Sequence, residues 1–198
     1  MKSIFTIATI MLSSMNAIAQ QHNWVQITGG KEQQTYPLNN FEVAGGLYFG
    51  ENFYLRGAYM DSRMTDGGSD NNGLYYKHTT VEAGYTLHVA EGLYLELGGV
   101  NHRIAYKNIE MGGTRQSGTY TDSSVTGTGF GTRLNFEHST GLLLTAGYSR
   151  LKFPTITYNV TQLEIRKPIT KSLYGVAGYS KPNESVASWK VGVGYRFE

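Results

Sequence analysis

Apolar residues recur at every second position through most of the chain. The carboxyl-terminal stretch WKVGVGYRFE places Trp189, Val191, Val193, Tyr195 and Phe197 on one parity and only glycine, lysine and arginine between them. A period of two is that of a β-strand, whose successive side chains point to opposite faces. The same alternation occupies residues 41–49, 81–88, 128–136 and 142–149. The pattern therefore predicts an all-β fold.

The breaks between these stretches are alternately short and long. The short ones are Gly50-Glu51-Asn52, Ala90-Glu91-Gly92, Ser139-Thr140-Gly141 and Thr170-Lys171-Ser172. A three-residue hairpin keeps its flanking residues on one face, which pairs Phe49 with Phe53, Val89 with Leu93 and Ile169 with Leu173. The connections between these turns are longer and more polar at residues 65–73, 108–123 and 181–184, with a tight one at Pro154-Thr155. Tight turns are thus expected at one end of the fold and variable loops at the other.

The breaks define ten predicted strands. They lie near residues 23–33, 41–49, 53–64, 74–89, 93–107, 124–138, 142–153, 156–169, 173–180 and 186–197. An even number of strands with both termini on one side is typical of a closed antiparallel up-and-down transmembrane β-barrel. Such strands need only about 9–11 tilted residues to cross a bilayer, and closure pairs every backbone group. A barrel of eight strands is the alternative if one hairpin is misassigned.

The first residues have the features of a secretory signal peptide. Lys2 gives a positive start, residues 4–12 are mostly apolar, and Ala17-Ile18-Ala19 is a small-x-small cleavage site. The apolar core is too short to span a bilayer as a helix, which takes about 20 residues. We expect residues 1–19 to be removed and residues 20–198 to form one barrel domain outside the inner membrane.

Composition narrows the classes of function. The chain has 15 Tyr, 8 Phe and 25 Gly, and only 16% of its residues are charged, which favours strands and turns. Cysteine is absent, so disulfides and thiolate chemistry are excluded. The formal net charge of +2, without a lysine or arginine cluster, gives no electrostatic case for binding nucleic acid.

In a membrane barrel the apolar residues at every second position of a strand face lipid, and the residues between them face the lumen. We call the positions of the second set the lumen parity. Aromatic residues then form girdles at the two interfaces. The girdle beside the short turns is predicted to contain Phe49, Phe53, Phe136, Tyr195 and Phe197. The outer girdle is predicted to contain Tyr59, Tyr75, Tyr106, Phe153 and Tyr179.

Together with the signal peptide and the aromatic last strand, repeated Gly-Tyr strand ends give the sequence a family resemblance. They are Gly84-Tyr85, Gly147-Tyr148, Gly178-Tyr179 and Gly194-Tyr195. Over essentially the whole mature chain the sequence resembles small outer-membrane β-barrels of Gram-negative bacteria, especially opacity-type and OmpX/OmpA-like proteins of the porin superfamily. The resemblance implies residence in the cell outer membrane, contact with its lipid and lipopolysaccharide, and loops that meet an envelope or host surface ligand.

The resemblance also implies an assembly signal in the last strand. In that family the strand is read by the barrel-assembly machinery and normally ends in phenylalanine, whereas here Glu198 follows Phe197. The residues that would carry the signal are Trp189, Val191, Val193, Tyr195 and Phe197.

Charges of both signs are predicted on the lumen parity. They are Glu42, Glu82, Glu96, Glu137 and Glu164 with Arg56, Arg133, Arg166, Lys190 and Arg196. An unpaired buried charge is costly, so balanced charges inside a narrow barrel favour a network of ion pairs. We expect a plugged or narrowly wet interior.

Two strands give conflicting faces. Strict alternation after Leu97 puts Asn101 and Arg103 on lipid, whereas Val100 and Ile104 have the lumen parity. A β-bulge at Gly98-Gly99 would switch the face and resolve the conflict. The change from Tyr158 and Val160 to Leu163 and Ile165 raises the same question.

Three functions remain open. The first is a non-enzymatic outer-membrane barrel, with structural support and loop-mediated surface interaction as its roles; the second is a narrow porin-like channel for small solutes or ions. The third is a lipid A-modifying enzyme, for which Asp61-Ser62 with His78 or His102 would supply nucleophile and base. Serine and histidine are common at a wet rim, so we expect no enzyme and no catalytic residue. The histidines show no metal-ligand spacing, and no cofactor is expected.

Overall fold

The computed structural model describes residues 22–32, 38–50, 52–64, 75–111, 118–183 and 186–197, which form one closed antiparallel barrel of ten strands. Each strand pairs with its chain neighbours, and β1 closes the barrel on β10. The predicted up-and-down barrel is confirmed with ten strands, not eight. The predicted signal peptide lies outside the described residues. The strands are β1 Asn23–Glu32, β2 Leu38–Phe49, β3 Phe53–Met64, β4 Tyr75–Ala90, β5 Leu93–Met111, β6 Gly118–Glu137, β7 Leu143–Lys152, β8 Thr157–Pro168, β9 Leu173–Pro182 and β10 Ser188–Phe197.

Within the part of the chain that the structure describes, no helix is long and apolar enough to cross a membrane.

The two ends of the barrel differ in their connections. The turn end carries the four short turns and both ends of the described chain, and the loop end carries the remaining connections. Gly50, Gly92 and Gly141 have φ of 62°, 69° and 79°, a left-handed conformation that glycine adopts without a Cβ clash. Phe49 pairs with Phe53 as predicted. The predicted pairing of Val89 with Leu93 is wrong, because a register shift between His88 and Ala90 pairs Ala90 with Leu93.

A belt of exposed apolar side chains surrounds the barrel near the turn end. On β10, Val191 and Val193 are 53% and 52% exposed, and every other strand adds exposed aliphatic or aromatic residues to the belt. The five residues predicted for the turn-end girdle all lie on this outer surface. Phe49 stacks on Phe53 with ring centroids 6.3 Å apart, and Tyr85 meets the edge of Phe53. The belt is the surface that a bilayer would cover.

On β4 to β8, the polarity of the two faces is inverted above the belt. Toward the loop end the outward residues become polar, as in Lys77, Thr79, Arg103, Arg150 and Lys152. The inward residues become apolar and form a cluster inside the barrel. The cluster contains buried Val100, Leu151 and Phe153, with Ile104, Val125, Ile156 and Tyr158 packed against it. A soluble barrel likewise buries apolar side chains inside and exposes polar ones to water.

The inversion explains why two predicted changes of face, on β5 and on β8, are wrong. The register between β5 and β6 runs without interruption through Gly98 and Gly99, so the proposed bulge there is wrong. Tyr158 and Val160 face inward in unbroken alternation with outward Leu163 and Ile165, so β8 has no face switch either.

Phe153 is buried inside the barrel at 4% exposure and is not part of the outer girdle. Tyr59 and Tyr179 are exposed on the outer surface, whereas the side chains of Tyr75 and Tyr106 lie outside the described part of the structure.

Strands β5 and β6 continue far beyond their neighbours. The predicted loop 108–123 is instead largely strand, because residues 108–111 pair with residues 118–121. Strand β4 stops pairing with β5 at Lys107, and β7 stops pairing with β6 at Thr128. Residues 118–127 of β6 therefore extend about 30 Å along the strand past the last pair with β7. Among the described residues beyond Lys107 only β5 and β6 pair with each other, and this two-stranded ribbon, residues 108–111 and 118–121, projects from the loop end.

Candidate functional site in the barrel interior

All ten charged residues predicted for the lumen point into it, and each has an oppositely charged partner. Most pairs reach past a neighbouring strand, so they cross-link the wall of the barrel. Arg56 lies 2.7 Å from Glu96, Arg166 2.7 Å from Glu164 and Arg196 3.5 Å from Glu137. Lys190 lies 2.5 Å from Glu42 and 3.4 Å from Glu164. The two terminal nitrogens of Arg133 donate hydrogen bonds to the two carboxylate oxygens of Glu82, one to each.

Aromatic rings complete this network at the turn end. The turn-end plug consists of Trp24, Tyr48, Tyr54, Tyr94 and Tyr174, with the arginines between them. The hydroxyl of Tyr54 donates to Glu82 at 2.6 Å, and that of Tyr48 donates to Glu96 at 2.7 Å. The guanidinium of Arg166 lies 3.9 Å from the ring centre of Trp24, a cation–π contact. Buried rings and paired charges therefore fill the lumen at this end.

Glycines make room for these rings. Gly46, Gly84 and Gly194 lie directly across a strand pair from Trp24, Tyr54 and Tyr174. A Cβ at Gly46 would overlap the indole of Trp24, and one at Gly194 would overlap the ring of Tyr174. Sequence reasoning found the charges but missed the plug. An inward aromatic residue opposite an inward glycine was the signal that could have located it.

A cavity of about 490 Å³ lies above the plug and extends to the loop end, where Glu32, Tyr76 and Pro182 line it. Its two walls differ. Gln26, Thr28 and Glu42 line the side formed by β1 and β2. Val100 of β5, Leu151 of β7 and Phe153, the residue after β7, line the opposite side. The interior is thus a cavity that the plug closes at the turn end and that reaches the loop end. We call it the cup; its floor is charged and its wall on the β5 and β7 side is apolar.

The structure brings together only two of the residues considered for catalysis. Ser62 is fully buried, and its hydroxyl has no hydrogen-bond partner in the described residues. Asp61 instead forms an ion pair with Arg63, with 3.1 Å between Oδ1 and Nε. His78 and His102 do come together, with 3.3 Å between Nδ1 of His78 and Nε2 of His102.

The residues predicted to carry the assembly signal form one outward row on β10, at the seam where β10 pairs with β1. Trp189, Val191, Val193, Tyr195 and Phe197 are all exposed. Glu198 lies outside the described residues.

The fold is similar to that of outer-membrane β-barrels. The translocator domain of the autotransporter NalP from Neisseria meningitidis matches at TM-score 0.48 and 16% identity, over 98% of this chain and 96% of that one. Ail of Yersinia pestis, solved with the heparin analogue sucrose octasulfate, matches at 0.47 and 16%, over 89% and 97%. The β-barrel domain of Pseudomonas aeruginosa OprF matches at 0.40 and 14%, over 90% and 100%.

No protein family matches the sequence, and no curated protein does. At these identities and TM-scores the likeness extends to the fold alone.

Proposed function

We propose that the protein is a non-enzymatic integral barrel of the outer membrane, with structural support and loop-end surface interaction as its roles. The observation that carries this proposal is the apolar belt, to which all ten strands contribute and above which the polarity of the faces inverts on β4 to β8. A soluble protein rarely exposes so large a continuous apolar surface. In lipid the same surface is favourable, because its apolar side chains are removed from water, and closure of the barrel pairs the backbone groups of the strands.

The turns set the orientation that we propose. Bacterial outer-membrane barrels have short periplasmic turns and longer extracellular loops. The turn end would then face the periplasm, and the ribbon and cavity would face outward. In this orientation the partners are outer-membrane lipid and lipopolysaccharide around the belt, an envelope or host surface ligand at the ribbon, and the barrel-assembly machinery at β10 during insertion.

The interior favours this function over the alternatives. Ion pairs and rings fill the turn end, which opposes a continuous path for solutes. The absence of a hydrogen bond between Ser62 and either His78 or His102 in the described residues gives no support to lipid A chemistry. The projecting ribbon supports surface contact, since extended loops on a rigid scaffold commonly carry binding.

The membrane assignment and the interaction assignment need separate tests. First, the protein should fractionate with the outer membrane and migrate faster on a detergent gel unheated than boiled. Recovery as a detergent-free soluble monomer would overturn the membrane assignment.

Second, replacing residues 108–121 with a two-residue turn should abolish binding to lipopolysaccharide vesicles or matrix-coated surfaces while gel migration stays heat-modifiable. A variant with Thr155→Ser in the exposed loop-end turn between β7 and β8 is the matched control and should bind normally. If the shortened variant binds as well as the full chain, the ribbon is not the contact surface.

A further inference from the structure

Two histidines meet on the inner wall of the cup near the loop end. His78 lies on β4 and His102 on β5, and both side chains line the cavity. Nδ1 of His78 is 3.3 Å from Nε2 of His102, and the ring centres are 5.4 Å apart. The plug and the ion-pair network include neither ring, so both remain to be explained.

The separation of the two nitrogens suits one shared ion. Imidazole nitrogens bind first-row ions at about 2.0 Å, so two ligands at a tetrahedral angle lie about 3.3 Å apart. One N–H···N hydrogen bond spans the same distance. The chain without an ion can therefore hold both rings near the spacing that an ion requires.

His102 is held by neighbours on two sides. Its Nδ1 lies 2.7 Å from the hydroxyl of Thr80, and its ring meets that of Phe153 edge to face, with centroids 6.1 Å apart at 85°. When Nδ1–H donates to Thr80, Nε2 carries the free lone pair that faces His78. An outer partner of this kind commonly orients a metal-binding histidine.

A third donor lies on the adjacent strand. Met60 is directly opposite His78 in the register of β3 with β4, and it also lines the cavity. Side chains at opposed positions on one face have Cβ atoms about 4.5–5.5 Å apart, so the Met60 thioether is within reach of the pair. The described ranges contain no group of three or more His, Cys, Asp or Glu that could hold a metal, so a third ligand beside the two imidazoles has to be of another type. The Met60 thioether is such a ligand.

We propose that Met60, His78 and His102 bind one copper ion. Imidazole suits copper and several other first-row ions, but a thioether selects Cu(I). Sequence spacing predicted no metal site because the donors lie on three consecutive strands. The outward residues at this height, Lys77, Thr79 and Arg103, are polar, which places the site above the apolar belt. The cavity connects it to the loop end.

The test uses purified, tag-free full chain in detergent. Cu(I) is titrated in ascorbate against the chromophoric competitor bicinchoninate, and the absence of cysteine removes competing thiolates. The expected stoichiometry is one copper per barrel. His78→Ala and His102→Ala should each weaken binding at least tenfold, and Thr80→Val about tenfold or more through loss of the orienting contact. His138→Ala, in the exposed turn between β6 and β7, is the matched control and should leave binding unchanged.

A second variant separates the thioether from the imidazoles. Met60→Leu keeps the side-chain volume and should weaken Cu(I) binding while leaving Zn(II) binding through the histidines. Heat-modifiable migration checks that each variant is folded. No bound copper, or unchanged binding in the His78→Ala/His102→Ala double variant, would overturn the site, and unchanged Cu(I) affinity in Met60→Leu would overturn the role of Met60. Neither result depends on the proposed surface interaction.

Discussion

Glu82 joins a ring of the plug to the ion-pair network. Its side chain is 2% exposed, and its carboxylate accepts from Tyr54 and from both terminal nitrogens of Arg133. Glu82→Gln removes the charge but keeps the shape, so the Arg133 guanidinium is left buried without a counter-charge. We expect the free energy of unfolding to fall by about 3–5 kcal/mol. Unfolding by urea in detergent measures this difference in the free energy of unfolding.

Two comparisons isolate the charge. Glu91→Gln, in the exposed turn between β4 and β5, should change the free energy of unfolding very little. The double variant Glu82→Gln/Arg133→Met removes both charges and should recover much of the loss, since no buried charge is then left without a partner. Equal losses in Glu82→Gln and Glu91→Gln would mean that the network does not stabilise the barrel.

Alternation along a strand predicts whether a side chain points inward or outward, but not what it contacts there. Glu82 lies between Val81 and Ala83, and Arg133 is followed by Leu134 in an alternating strand, so their inward direction was readable from the sequence. Tyr54 and Tyr174 have the same lumen parity, but tyrosine suits either a lipid interface or a packed interior. Their place in the plug depends on Gly84 and Gly194 across the strand pair. Each glycine lies on the next strand of the chain, and only the register of the two strands places it opposite its tyrosine.

At the scale of the strand, the sequence analysis assumed that apolar residues face outward along the whole strand. In the structure they face outward in the belt and inward above it on β5 and β8. The alternation itself was correct on β5 and β8, where no bulge interrupts it. The solvent outside the barrel changes along the strand, so the parity that carries apolar residues changes with it. Val100 and Phe153 were misread for this reason. Polar residues on the opposite parity at the same height, such as Asn101 and Lys152, were the available signal.

The inversion can be measured on β5 because the chain has no native cysteine. A nitroxide attached at Asn101→Cys should collide mainly with a water-soluble paramagnetic reagent in a lipid bilayer, since Asn101 is outward but above the belt. The same label at Val191→Cys, outward within the belt, should collide mainly with dissolved oxygen, which concentrates in hydrocarbon. If the label at Asn101→Cys responds to oxygen as strongly as that at Val191→Cys, the belt extends higher than we infer.

At the scale of the whole molecule, the barrel is a cup and not a tube. The cavity ends on a floor that includes Trp24, Arg56 and Arg166, with Tyr48, Tyr54 and Tyr174 toward the turn end. Each floor charge has its partner inside the protein, so an ion that entered would have to break an existing pair. A barrel of this size can be filled by side chains, in contrast with the aqueous lumen of larger porins.

This architecture predicts no conductance. Purified protein inserted into planar bilayers should give no discrete current steps at moderate voltage, because moving the plug aside would require several buried ion pairs and ring contacts to separate together. Recovery of heat-modifiable protein from the same membranes is needed to prove insertion. Glu82→Gln and Arg133→Gln should remain silent if they fold, since each removes one pair and leaves the rings in place. Steps in the wild type whose size changes in either variant would demonstrate a solute path through the network, and the channel function would then replace the closed cup.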